Sequence, residues 1–127
     1  MRQDIERWYL QSKEEYETAK ISLNAKKYFA AAFWAQQSVE KALKALFMHQ
    51  KKESAGVTHS LTFLARQTGL SKEFYEICRD LTKEYYMSRY PDATEDVPYR
   101  TYTKETVEKQ VADIEKILKW VEQQLHK

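Results

Sequence analysis

Punctuation is nearly absent from this chain. Its 127 residues include two glycines, Gly56 and Gly69, and two prolines, Pro91 and Pro98. Ordinary usage is about 7% and 5%. So few turn-formers cannot supply the tight connections of a many-stranded β fold. Long helices joined by few turns remain, and the sequence predicts an all-α fold. One domain spanning residues 1–127 is large enough for its own core without metal or disulfide support. A single cysteine, Cys78, excludes an intrachain disulfide. It falls in a helical apolar pattern and reads as a small core hydrophobe. Charged residues at 31% beside 43% hydrophobic suit helices with charged outer faces. A net charge of +2 is too small to argue for nucleic acid by itself. No apolar run approaches the roughly 18 residues of a membrane span and no signal peptide is visible, so the cytoplasm is the expected location.

Apolar spacing places the helices. Ile5, Trp8, Tyr9, Tyr16, Ala19 and Leu23 predict a first helix over residues 4–24, ended by a left-handed Asn24. A short turn through Ala25, Lys26 and Lys27 implies an antiparallel hairpin with a second helix over residues 28–50. Phe29, Ala32, Phe33, Gln36, Val39, Leu43, Leu46 and Phe47 form its main stripe. Ala31, Ala35, Ser38, Ala42 and Ala45 form a second stripe of small side chains. That stripe admits a close helical neighbour, from this chain or from a second copy. After a polar loop, Thr58 is the expected cap of a short helix over residues 59–67, stopped at Gly69. Ser71 is the expected cap of a fourth long helix carrying Phe74, Ile77, Cys78, Leu81 and Tyr85. Thr103 caps the last, marked by Val107, Val111, Ile114, Leu118, Val121 and Leu125. The predicted architecture is an up-and-down helical bundle of four long helices plus one short helix. Trp34 and Trp120 lie outside the main stripes. They are expected at a two-fold dimer contact.

One segment interrupts the pattern. Pro91 fixes its own φ and pushes Tyr90 out of the helical region. The fourth helix is expected to end near Ser88 or Arg89, and the chain to run extended to Tyr102. Loops of that length, roughly 12–15 residues, are usually functional or disordered. Tyr90, Tyr99 and Tyr102 argue against disorder. Arg89 can grip phosphate with two parallel hydrogen bonds, or pair with Asp92 or Glu40. Tyr90 can stack on a base or pin the loop. Asp92 suits a turn, an Arg partner or a base. Glu40, Lys41 and Lys44 share one helical turn, and Glu40 with Lys44 is the favourable i, i+4 pair. Gln36 and Gln37 add hydrogen-bonding groups one turn earlier. His59 can begin the short helix or serve chemistry. Scattered histidines, a lone cysteine and no glycine-rich loop point to no metal and no cofactor.

Three segments, in order, carry a resemblance. They are Gln36-Gln37-Ser38-Val39-Glu40-Lys41-Ala42-Leu43-Lys44-Ala45, then Thr58-His59-Ser60-Leu61, then Arg89-Tyr90-Pro91-Asp92. Together they resemble the HEPN domain (higher eukaryotes and prokaryotes nucleotide-binding), in its Arg-Tyr-Pro-Asp branch, over essentially the whole chain. The resemblance implies a homodimeric bundle that handles nucleotides or RNA. It also implies a minimal nucleotidyltransferase partner in a toxin–antitoxin-like pair. Its candidate ligand-binding set here is Arg89, Tyr90, Asp92, Glu40, Lys44, Gln37 and His59. Several branches of the family are metal-independent ribonucleases, with an Arg followed four to six residues later by a His and a site completed by the second subunit. This chain departs from that pattern. Its histidines are His49, His59 and His126, and Tyr90 to Asp96 after Arg89 contain none. The usual general acid or base is therefore missing from that position, and catalytic residues stay unassigned. Three readings follow. One is a nucleotide- or RNA-binding module. Another is a ribonuclease built on Arg89, Asp92, Glu40 or His59. The third is a non-catalytic dimeric scaffold. Arg89 and Asp92 are expected to face Glu40 and Lys44 across a shallow groove, either as a closed ion-pair network or with Arg89 and Lys44 free for phosphate.

Overall fold

The computed structural model describes residues 2–93 and 95–127. Its helices are α1 (Gln3–Asn24), α2 (Tyr28–Lys51), α3 (Leu61–Thr68), α4 (Tyr75–Thr82), α5 (Glu84–Met87), α6 (Pro98–Thr101) and α7 (Lys104–Leu125). Two 3-10 turns, Lys72–Phe74 and Pro91–Ala93, join them. No strand occurs among the described residues, so the all-α up-and-down bundle expected from the sequence is what forms. No helix among them is long and apolar enough to cross a membrane.

The α1–α2 hairpin is the spine of the bundle. Asn24 does not end α1 with a left-handed turn. Asn24 stays helical, and Lys26 takes that conformation, with φ 62°. The small-residue stripe of α2 is fully used within one chain: Ala31, Ala35, Ser38, Ala42 and Ala45 are all buried. Ser38 Oγ donates to the Ser12 carbonyl at 2.7 Å, a distance that only a close α1–α2 approach permits. α7 lays Val107, Val111, Ile114, Ile117, Leu118, Val121 and Leu125 into the same core. Trp34 and Trp120 are half-buried against that core rather than standing free.

The second half of the chain corrects several boundaries. Ser60, not Thr58, caps α3, accepting from the Phe63 amide at 3.2 Å. Thr58 Oγ1 instead accepts from the Ser60 amide at 3.1 Å, a local turn that presents Ser60 to the helix. Gly69 stops α3 at φ 70°, a left-handed position that suits glycine. The fourth helix is divided at Lys83. There ψ tightens to −21° and an i→i+3 bond runs from the Tyr86 amide to the Lys83 carbonyl at 3.2 Å. The segment after Arg89 is not extended throughout. Pro91–Ala93 winds into a 3-10 turn, closed by Ala93 N–H to the Tyr90 carbonyl at 3.0 Å. Pro98 opens α6 at the first helical position, where its missing N–H is no loss. Thr103 caps α7 as expected, accepting from the Thr106 amide at 3.3 Å.

Candidate functional site

The site grows from one face of α2. Residues 33, 36, 37, 40 and 44 lie about one turn apart along it. Glu40 is 4% exposed, and every neighbour answers its charge. Lys44 Nζ stands 3.3 Å from Oε2. His59 Nδ1 stands 3.0 Å from Oε1, and Gln36 Nε2 donates to the same oxygen at 3.1 Å. With Glu40 ionised, Nδ1 is the donor of this bond, and Nε2 is an acceptor when the ring is neutral and a second donor when it is protonated. The His59 backbone is fixed from two sides: its carbonyl accepts from Gln36 Nε2 at 3.3 Å and from Thr82 Oγ1 at 3.4 Å.

A second buried carboxylate continues the network towards α1. Glu15 accepts from Lys41 Nζ at 2.9 Å and from Gln11 Nε2 at 2.8 Å. Lys41 also donates to Gln37 Oε1 at 3.0 Å, and Gln37 Nε2 donates to Gln36 Oε1 at 2.7 Å. Gln36 and Gln37 thus link the Glu40 and Glu15 clusters. The two glutamines have protein partners for their polar atoms, as buried amides require.

Arg89 occupies the other end. Its Nε and Nη2 donate to the Tyr85 carbonyl at 3.0 and 2.9 Å. Its guanidinium lies 4.3 Å from the centre of the Phe33 ring, 4.6 Å from that of Tyr85 and 4.9 Å from that of Tyr90. The Tyr85 ring in turn stacks on His59, with centroids 3.7 Å apart and planes 14° from parallel. Arg89 and His59 therefore share one aromatic ring although they lie far apart in sequence.

The expected groove is half right. Arg89 does reach α2, but through Phe33 rather than through Glu40. Asp92 is exposed in the 3-10 turn and forms no ion pair among the described residues. The closed four-residue ion-pair network does not form, because Arg89 bonds a carbonyl and not a carboxylate. Lys44 is 5% exposed and committed to Glu40, so it is not the free cation envisaged beside Arg89. Tyr90 is 44% exposed and lies against Arg89. Phe33 and Tyr85, which hold Arg89, were not in the candidate ligand-binding set. Phe33 falls one turn before Gln36 and Gln37, and Tyr85 one turn before Arg89, so helical spacing from the chosen residues was the available signal.

Surroundings sharpen the chemistry. Among the described residues no group of three or more His, Cys, Asp or Glu side chains could hold a metal. A depression of about 680 Å³ between α4 and α7 sets Glu73, Glu76, Asp80 and Asp113 against Lys83 and Lys109, with Lys109 paired to Asp113, so acidic groups outnumber basic ones there. Glu84 is 2% exposed and beside Tyr102, and burial first of all raises its pKa above the usual carboxylate value. Burial also pushes the Cys78 thiol up to about 12, so that it stays a neutral core side chain.

Comparison with known proteins identifies the family and the fold. Residues 5–124 match the HEPN domain family. The fold superposes on the crystal structure of TT1696 from Thermus thermophilus with a TM-score of 0.86 at 30% identity, covering 97% of this chain and 99% of that one. It superposes on ST0689, an archaeal HEPN homologue, with a TM-score of 0.82 at 32% identity, covering 98% and 99%. No curated protein matches the sequence. The chain belongs to the HEPN domain family.

Proposed function

We propose that this chain is a nucleotide- or RNA-binding HEPN module, acting as a homodimer beside a minimal nucleotidyltransferase in a cytoplasmic toxin–antitoxin-like pair. The observation that carries the binding reading is the state of Arg89. It is exposed, and no carboxylate among the described residues neutralises it. Its Nε and Nη2 hold the guanidinium in place against three rings, while Nη1 makes no bond among the described residues. A guanidinium held this way is a preorganised phosphate receptor. Tyr90 and Tyr86, at 44% and 56% exposure, offer rings beside it on which a base can stack. Fluorescence anisotropy with a labelled single-stranded RNA tests this. Arg89→Ala is expected to weaken binding about tenfold or more. Equal affinity of wild type and variant defeats the reading.

A second reading, a metal-independent ribonuclease, is favoured by one contact. Glu40 orients His59, and both His59 and Arg89 meet the Tyr85 ring. A carboxylate holding one imidazole nitrogen leaves the other able to take a proton, which is the arrangement of a general base. Metal-free cleavage of single-stranded RNA, lost in His59→Ala, would move the protein to this class.

A further inference from the structure

A second cationic aromatic surface lies on α1, at the far end of the same polar network. Trp8 is half-buried and borders a shallow depression of about 210 Å³ with Arg7, Gln11 and Lys41. That volume is below the roughly 300 Å³ of a drug-sized pocket, and it suits a single ring system. Lys44 Nζ sits 5.6 Å from the centre of the Trp8 ring. The contacts then run without a break from Lys44 to Glu40, to His59, to Tyr85 and to Arg89. Trp8 and Arg89 are thus the two ends of one track of contacts along α2, whose middle links, Lys44 and Glu40, are buried.

The charges along that track have a pattern. Its two carboxylates, Glu15 and Glu40, are buried, and each is neutralised by its own lysine. The arginines at its ends are not neutralised: Arg7, like Arg89, forms no ion pair among the described residues, and both are exposed. The carboxylate–lysine pairs in the middle of the track are buried, and what it presents outside is an aromatic ring with an unmatched arginine at each end.

We propose that the Trp8–Arg7 depression is a second binding station for a single RNA strand whose other contact is Arg89. Trp8 stacks a base and Arg7 takes a phosphate. This rests on the RNA-binding reading above and names its ligand as a strand of several nucleotides rather than a mononucleotide. Unpaired bases are required, since a base within a duplex does not present its face to a protein ring. Two stations joined by a flexible strand raise affinity over either alone.

The test uses uridine monophosphate and an eight-residue oligouridylate, followed by indole emission and by anisotropy. The octamer is expected to bind at least about tenfold tighter than the monophosphate. It should quench indole emission in wild type, with that quenching reduced in Trp8→Phe. Arg7→Ala, an exposed position that does not threaten folding, should lower octamer affinity about tenfold, as should Trp8→Ala. If Arg89→Ala weakens the octamer while Arg7→Ala and Trp8→Ala do not, the second station is wrong and the Arg89 reading survives. A wild-type protein that binds neither probe overturns both. If Arg7→Ala halves the particle mass without changing octamer affinity, the depression is a subunit contact and the proposal fails.

Discussion

Glu40 and Glu84 are buried almost equally deeply, at 4% and 2% exposure, in two unlike settings. Around Glu40, a lysine, an imidazole and an amide converge, so the charge is met on both oxygens. Around Glu84 no salt bridge forms among the described residues, and its Oε2 has no hydrogen-bond partner there. Burial without an ion pair disfavours the charged form of Glu84 and raises its pKa, because ionising it would place a charge in a poor solvent; the Tyr102 hydrogen bond and the Lys83 charge oppose that rise. Glu40 thus anchors a polar network of ion pairs, whereas Glu84 is a carboxyl whose ionisation burial disfavours. The comparison places the candidate site around Glu40 and leaves Glu84 as part of the packing between α5 and Tyr102.

The sharpest way to break this contrast is Glu40→Ala. Lys44, with its side chain 6% exposed, would lose its counter-charge, and stability should fall by about 3–5 kcal/mol in urea unfolding. An unchanged midpoint would mean that Lys44 swings out to solvent and that the network holds nothing together. A smaller effect is expected at Glu84. Its pKa in the folded chain lies above the ordinary 4.5, so the folded state holds the proton more tightly than the unfolded state. The stability this confers is complete below pH 4.5 and is lost as pH rises through the raised value. Glu84→Gln should remove that fall, making stability flatter with pH than in wild type when urea midpoints are compared from about pH 4 to 8. Parallel profiles would show that Glu84 ionises freely. The smallest effect is at Arg89. Arg89→Ala removes exposed ring contacts and bonds to one carbonyl, without stranding a carboxylate, so about 0.5–1 kcal/mol is expected from thermal melts. A loss as large as that of Glu40→Ala would reveal an acidic partner and make Arg89 structural.

The legible part of the fold was the part with long periodicity. α1, α2 and α7 each repeat apolar positions over many turns, and their ends fell within a residue or two of expectation. The stretch from Lys72 to Thr101 was legible in part: the helix through Ile77, Cys78, Leu81 and Tyr85, ending near Ser88, forms as α4 and α5, whereas its division at Lys83 and the short pieces after Arg89 were not foreseen. The pieces after Arg89, Pro91–Ala93 and Pro98–Thr101, are three and four residues long, too short for a period to show. Pro98 was a missed cue, since a proline at the first helical position marks a start as readily as a break. In the site, the Gln36–Glu40–Lys44 ladder could be read from i, i+4 spacing alone. The Glu40–His59 bond joins residues 19 apart, and the Lys41–Glu15 bond joins residues 26 apart, so only the fold could supply them. Arg89 was chosen for its charge, but its fixation by Phe33 and the Tyr85 carbonyl depends on where α5 ends.

The central position of α2 has a consequence for how the site moves. α2 touches α1, α3, α4, α5, α6 and α7, so it has no edge from which to fray without opening the rest. Amides around Gln36 and Glu40 should therefore exchange with solvent deuterium only through opening of the whole domain. The segment carrying Arg89 and Tyr90 rests on a four-residue helix and one 3-10 turn and is pinned to α2 through Phe33, so its amides are expected to exchange faster than those of α2. For the anion proposed at Arg89, α2 is thus the fixed floor and this segment the wall expected to yield first.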